Sequence, residues 1–152
     1  MHKIRSAYTL VELAIVVVIL GILAATTIPR IADAIKAQES RAIADKVAID
    51  LAFARDYAKA TNVQVKVKFD APNNRYTLEG VPDDAKGTPD TVVDLKKMGM
   101  PIDDFVLSNG TDTLSFDRFG QAVGDCVVDV TKGSETIKVE VQRTDSLIKV
   151  LK

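Results

Sequence analysis

The chain has 152 residues, 47% apolar and 27% charged, with a formal net charge of −1; this allows one modest core and gives no global field to attract a polyanion. A single cysteine (Cys126), a single histidine (His2) and no tryptophan exclude an intrachain disulfide and leave almost no basis for histidine-based acid–base or metal chemistry. The near-neutral balance hides a division, because residues 1–7 hold His2, Lys3 and Arg5 without an acid, while acids outnumber bases from Tyr8 onward.

After the basic leader comes Y-T-L-V-E-L-A-I-V-V-V-I-L-G-I-L-A-A-T-T-I-P-R, residues 8–30. The sixteen residues Leu13–Ile28 carry no charge, slightly fewer than the ~20 of a comfortable membrane span, and Tyr8–Val11 extends the run beyond Glu12. Lys3 and Arg5 mark the near end as cytoplasmic. A cleaved secretory signal would share the basic start and the small residues Ala24 and Ala25. It would not place an acid at the boundary, and the helical pattern would not continue past Pro29. A plain signal anchor leaves Glu12 equally unexplained.

An ionised acid deep in a bilayer costs about 2.5–3.5 kcal/mol, and less near the interface. No Lys or Arg lies one helical turn from Glu12. Cleavage after Ala7 would supply a counter-charge, since the new amine on Tyr8 would be largely protonated at neutral pH. Neutralisation within one molecule would fix nothing, whereas neutralisation between two would set an assembly register.

The leader K-I-R-S-A, followed by Y-T-L-V-E-L and a long apolar run, resembles the class III leader and N-terminal helix of type IV pilins and type II secretion pseudopilins. That resemblance implies cleavage by a prepilin peptidase between Ala7 and Tyr8 and methylation of the new amine. It further implies that Glu12 pairs with the amine of an adjacent subunit, and that Pro29 marks a point where the helix loosens in a filament. The family usually has Gly where this chain has Ala7, and Phe where it has Tyr8.

Beyond Pro29, residues 30–61 are alanine-rich and amphipathic. Ile43, Val47, Leu51, Ala54 and Ala58 recur at helical spacing and stack on one face. A continuous helix from Tyr8 to Ala60 would be ~80 Å long, more than a small domain can bury along its whole length. The period then changes. In V-Q-V-K-V-K-F, Val63, Val65, Val67 and Phe69 alternate with polar residues as a half-buried strand, D-A-P-N-N supplies a turn, and R-Y-T-L-E-G returns. Further strands are expected at Thr91–Leu95, Phe105–Leu107, Thr113–Phe116, Cys126–Val130, Ile137–Val141 and Leu147–Leu151, with 80–90 as a loop. Cys126 alternates with Val128 and Val130 as a small buried hydrophobe. The expected fold is α+β: a long N-terminal hydrophobic stem packed on a C-terminal antiparallel β-sheet domain. Its parts are a leader (1–7), a transmembrane or filament-core helix (8–29), the amphipathic half of the same helix (30–61) and a β-rich head (62–152).

The run D-L-A-F-A-R-D-Y-A-K-A-T-N, then V-Q-V-K-V-K-F-D, then L-S-F-D-R-F-G-Q-A-V, is similar to the GspH/FimT branch of pseudopilins. The F-D-x-x-G turn of that branch falls here on Phe116, Asp117 and Gly120. Major pilins commonly close a C-terminal loop with two cysteines, which this chain cannot do. The resemblance implies a pilin-like fold and partners of four kinds: other pilin or pseudopilin subunits, prepilin peptidase, an inner-membrane assembly platform, and membrane lipid before assembly. It implies a single pass with the N-terminus cytoplasmic and the head periplasmic, then residence in a pseudopilus or pilus.

Catalytic residues, cofactors and metals are not expected. Asp83, Asp84, Asp90, Asp94, Asp103 and Asp104 cluster without EF-hand spacing and read as solvated turn residues; no aromatic-rich cleft accompanies them for glycoside chemistry. Lys138, Arg143, Lys149 and Lys152 form a weak basic patch, interleaved with Glu140 and Asp145. Nucleic acid, as in DNA uptake, is therefore the less favoured partner.

Overall fold

The structure is a computed structural model that describes residues 9–133, 135–143 and 147–151, with side chains described throughout except at 26–33. One helix, α1 (Leu10–Thr61), is followed by β1 (Val65–Asp70), a single 3₁₀ turn at Ala71–Asn73, β2 (Arg75–Glu79), β3 (Thr91–Asp94), β4 (Asp104–Leu107), β5 (Thr113–Phe116), β6 (Cys126–Lys132), β7 (Glu135–Val141) and β8 (Ile148–Leu151). The chain divides after Ile35 into two compact units.

In the first unit α1 starts at a cap. Thr9 stands just outside the helix, and its Oγ1 accepts the Glu12 N–H at 3.2 Å. Thr9 C=O accepts the first intrahelical bond, from Leu13 N–H at 3.2 Å. T-L-V-E thus has the spacing of a capping box, with Glu12 in the first turn where the helix dipole favours a negative charge. From there the apolar residues point in every direction: from Val16 at 45% to Leu10 at 83%, each is largely exposed. The backbone stays helical through Pro29, so the proline does not end α1.

The second unit is the head. Ile43, Val47, Leu51, Ala54 and Ala58 are buried to 1% or less, joined by Ala44 and Ser40. The Ser40 hydroxyl satisfies itself on the Lys36 C=O at 3.0 Å. Facing this stripe are two four-stranded antiparallel sheets, ordered β3-β2-β1-β5 and β4-β6-β7-β8. Strand alternation puts Val65, Val67, Phe69, Tyr76, Leu78, Leu114 and Phe116 of the first sheet inward. From the second, Phe105, Leu107, Cys126, Val128, Val130, Ile137, Val139 and Val141 face the same way, forming one contiguous core. Phe105 meets Phe69 across the seam, with ring centroids 5.1 Å apart. Cys126 is free and buried, and burial pushes its thiol pKa up.

Two sheets replace the single sheet expected, and the linker from β3 to β4 shows why. Its buried residues Leu95 and Ile102 are pinned to Asn74: Leu95 N–H donates to the Asn74 C=O at 2.9 Å and Ile102 N–H to Asn74 Oδ1 at 2.5 Å. Asn74 takes φ +54°, a left-handed conformation that Asn tolerates. The linker carries the chain into the second sheet, and β5 returns to pair with β1, Val67 against Leu114. The edge strands β3, β5, β4 and β8 have four residues each, whereas the inner strands have five to seven. Val63, expected in β1, lies outside it and is 49% exposed, because Asn62 at φ +58° turns the chain out of α1 first.

Candidate functional site

Ala7 and Tyr8 lie outside the described residues. Pro29 has a described backbone only, inside α1. Glu12 is exposed and sits in the first helical turn. The capping-box spacing was the signal available in the sequence for a local role of this residue, beside the intermolecular one that the resemblance implies. The two roles are compatible, since the cap engages the backbone N–H of Glu12 and leaves its carboxylate at the surface. Among the described residues no helix is long and apolar enough to cross a membrane; the described apolar side chains of this segment end at Ala25.

Three contacts fasten the head segment of α1 to the β-strands. The Tyr76 hydroxyl of β2 donates to Asp50 Oδ2 at 2.5 Å, and Lys46 Nζ reaches the same carboxylate at 2.5 Å. Burial, then the Asp50 charge and hydrogen bond, push the Tyr76 pKa far up. Lys132 at the end of β6 pairs with Glu39 at 2.6 Å. At the third point the β5–β6 loop packs on the helix. Asp117 Oδ1 accepts the N–H groups of Phe119 and Gln121 at 2.9 and 2.8 Å, closing a turn in which Gly120 has φ +72°. A Cβ at Gly120 would meet Lys59 Cγ and Cε at 2.5 Å and displace the lysine stem, while the positive φ itself favours glycine. The F-D-x-x-G sequence is therefore the seat for the end of the helix.

The loop acids have structural duties. Asp83 pairs with Lys86 at 2.6 Å, Asp90 accepts the Gly80 N–H at 2.8 Å, Asp94 caps Lys97 N–H at 3.0 Å, and Asp103 accepts Gly133 N–H at 2.6 Å. Lys86 beside Asp83, and the Lys97 amide and ammonium beside Asp94, lower those carboxyl pKa values. Among the described residues no cluster of three or more His, Cys, Asp or Glu could hold a metal ion. The basic patch is interleaved in space as in sequence: Lys138 lies opposite Asp129 and Lys149 opposite Glu140. A cleft of about 710 Å³ opens between Lys68, Arg75 and Asp112 over Phe69 and Phe105. Its cations already face acids, Arg75 with Asp70 at 2.8 Å and Lys68 with Asp112 at 3.9 Å.

The prokaryotic N-terminal methylation motif matches residues 2–28. Comparison with curated proteins gives no match. Among solved structures, the type IV minor pilin FimU of Pseudomonas aeruginosa (strain PAO1) superposes with a TM-score of 0.58 at 14% identity, covering 77% of this chain and 91% of that one. The methylation motif covers the basic leader and the apolar start of α1, and the shared fold covers a helix packed on antiparallel strands. Together they support a pilin-like chain: a prepilin-type N-terminal segment joined to a head with the fold of a type IV pilin.

Proposed function

We propose that the chain is a minor, GspH/FimT-type structural subunit of a type II secretion pseudopilus or a type IV pilus, with no catalytic role. The observation that carries this reading is the contrast within α1: its second part is already buried in a head, while the apolar residues from Leu10 to Leu23 are exposed all round. That surface needs lipid before assembly and other subunits afterwards. In this reading a prepilin peptidase cuts between Ala7 and Tyr8 and methylates the amine. The precursor stands in the inner membrane with its head in the periplasm, and Glu12 meets the Tyr8 amine of a neighbour as the subunit enters the filament. The fold shared with a minor pilin and the lone cysteine favour a minor subunit.

N-terminal sequencing and intact mass of the membrane-extracted protein, with and without a prepilin peptidase, test the reading. A peptidase-dependent start at Tyr8, heavier by one methyl group, is expected; an intact Met1 start overturns it. Glu12→Ala is expected to insert in the membrane normally and to be lost from filaments. DNA uptake is the alternative function, and it predicts a gel shift that collapses with added salt. The acids facing Lys138 and Lys149 weigh against it.

A further inference from the structure

Between β4 and β5 the chain runs Ser108-Asn109-Gly110-Thr111-Asp112. Asn109-Gly110-Thr111 is its only Asn-x-Ser/Thr sequence, the acceptor pattern for attaching a glycan to an amide nitrogen in a surface loop. All three residues are exposed. Gly110 closes the turn with φ +69°, its N–H donating to the Leu107 C=O at 3.0 Å. A Cβ at Gly110 would meet nothing within 4 Å, so the tip of the turn stands clear of the head.

The turn brings the two functional side chains of that pattern together. Asn109 Oδ1 accepts the Thr111 N–H at 3.1 Å, and the Thr111 hydroxyl lies 2.9 Å from the same oxygen. That hydroxyl is also 2.9 Å from the Thr113 C=O and can turn to either acceptor. The amide nitrogen is held more loosely: Nδ2 lies 3.4 Å from the Thr113 C=O, longer than an ordinary bond. An amide nitrogen is a poor nucleophile because its lone pair is delocalised onto the carbonyl. It strengthens when a proton leaves and the charge spreads onto the oxygen. Donors on Oδ1 stabilise that charge, and the loosely held Nδ2 is left open to an incoming carbon. A polar turn needs only the contact from the Thr111 N–H; the hydroxyl beside it is what the chemistry adds.

We propose that Asn109 is a glycan acceptor. In the active site of a membrane glycosyltransferase, its Nδ2 attacks the anomeric carbon of an oligosaccharide carried on a polyprenyl diphosphate. The nitrogen–carbon bond forms and the carbon–oxygen bond to the diphosphate breaks. One Nδ2 proton passes to a base of that enzyme, the lipid diphosphate departs, and nothing is oxidised or reduced. Such a donor is used on the non-cytoplasmic face of a membrane, so the proposal rests on the reading that places the head outside. Gly110, Thr111 and Asp112 also form one wall of the cleft over Phe69 and Phe105, and the attached sugar stands at its mouth.

The full chain is extracted from its native membrane and the mass of peptide 98–118 is measured; trypsin releases this peptide whole, because it holds no Lys and no Arg before its last residue. An added oligosaccharide that fragments to Asn109 is expected. It should be lost in Asn109→Gln and in Thr111→Ala and kept in Thr111→Ser, with the head's thermal unfolding preserved in all three because the turn is exposed. A peptide of unaltered mass overturns the proposal. So does a gain no larger than that of deamidation at the Asn-Gly bond, or a glycan that survives Asn109→Gln and therefore sits on a hydroxyl. The first residue of the chain is read from the same sample. A chain matured at Tyr8 with a bare Asn109 sinks the glycan alone, whereas a chain starting at Met1 sinks the subunit reading whatever Asn109 carries.

Discussion

The first and second parts of α1 are built from similar side chains and meet different fates. From Leu10 to Leu23 the apolar residues surround the helix and all are exposed; from Lys36 to Thr61, Ile43, Val47, Leu51, Ala54 and Ala58 form a stripe buried to 1% or less, and of the large apolar residues only Ile49 and Phe53 stand more than half exposed. Apolar surface has the same tendency to leave water in both. What differs is periodicity: a run with no polar face has no orientation that one small domain can satisfy, while a stripe can be covered by two sheets. The second part is thus stabilised within its own chain, and the first depends on what surrounds the molecule.

Truncating the two parts should break or confirm that contrast most sharply. Leu51→Ala is expected to destabilise the head by about 2–5 kcal/mol in denaturant titrations of the detergent-solubilised chain. Leu20→Ala, at a site 59% exposed, should change the same midpoint by less than about 0.5 kcal/mol. Equal losses would show that the two parts unfold as one.

Tyr76→Phe should cost about 1–2 kcal/mol by leaving the buried side of Asp50 without its hydroxyl donor. It also carries a pH signature. The folded Tyr76 pKa is raised above its ordinary value of 10.0. Its stabilisation is therefore complete below pH 10 and falls as pH rises further, when the unfolded chain ionises and the folded one does not. Thermal melts should show this alkaline limb in the parent and lose it in Tyr76→Phe.

Thr9→Ala tests the first part alone. Losing the cap should cost about 1 kcal/mol of local helix stability, seen as faster amide exchange over the first turn with no shift in the head's melting. If Thr9→Ala abolished filament entry as fully as Glu12→Ala, capping rather than the carboxylate would be the essential contribution of this turn.

The smallest effect is expected at low pH. The carboxyls of Asp70, Asp83 and Asp94 are held below their ordinary value of 3.8, first by Asn73, Lys86 and the Lys97 amide respectively. Their stabilisation is complete above that value and fades as pH falls through the lowered folded values. The head's midpoint should thus be flat from neutral pH down to the ordinary carboxyl range and sag only below it. A decline beginning at pH 6 would point to another group.

Periodicity made most of the head legible. The stripe at Ile43, Val47, Leu51, Ala54 and Ala58 is buried as spaced, and the strand at Thr113–Phe116 has the expected ends. These features depend on local alternation, which sequence displays directly. Strand partnership does not: that β5 leaves its neighbour β4 to pair with β1 is decided by the buried linker at Leu95 and Ile102, whose two anchors both meet at Asn74. Val81 was likewise hidden, a core residue 1% exposed inside a segment whose Gly, Pro and Asp content reads as loop. At the candidate site the acid and its apolar surroundings could be read, whereas the cap at Thr9 lay unnoticed in the T-L-V-E spacing. The counter-charge proposed for Glu12, the amine of Tyr8, lies beyond the described residues.

The four-residue edge strands have a consequence for how such a subunit can be stored. If precursors wait in a membrane as proposed, many heads share one plane, where any long, flat strand edge would invite sideways fusion by backbone pairing. Here all four edges are cut short, and the long ladders between β1 and β2 and between β6 and β7 are sealed inside the sheets. Crowded precursors would therefore stay individually retrievable, and growth in the wrong direction is discouraged before any assembly machinery acts.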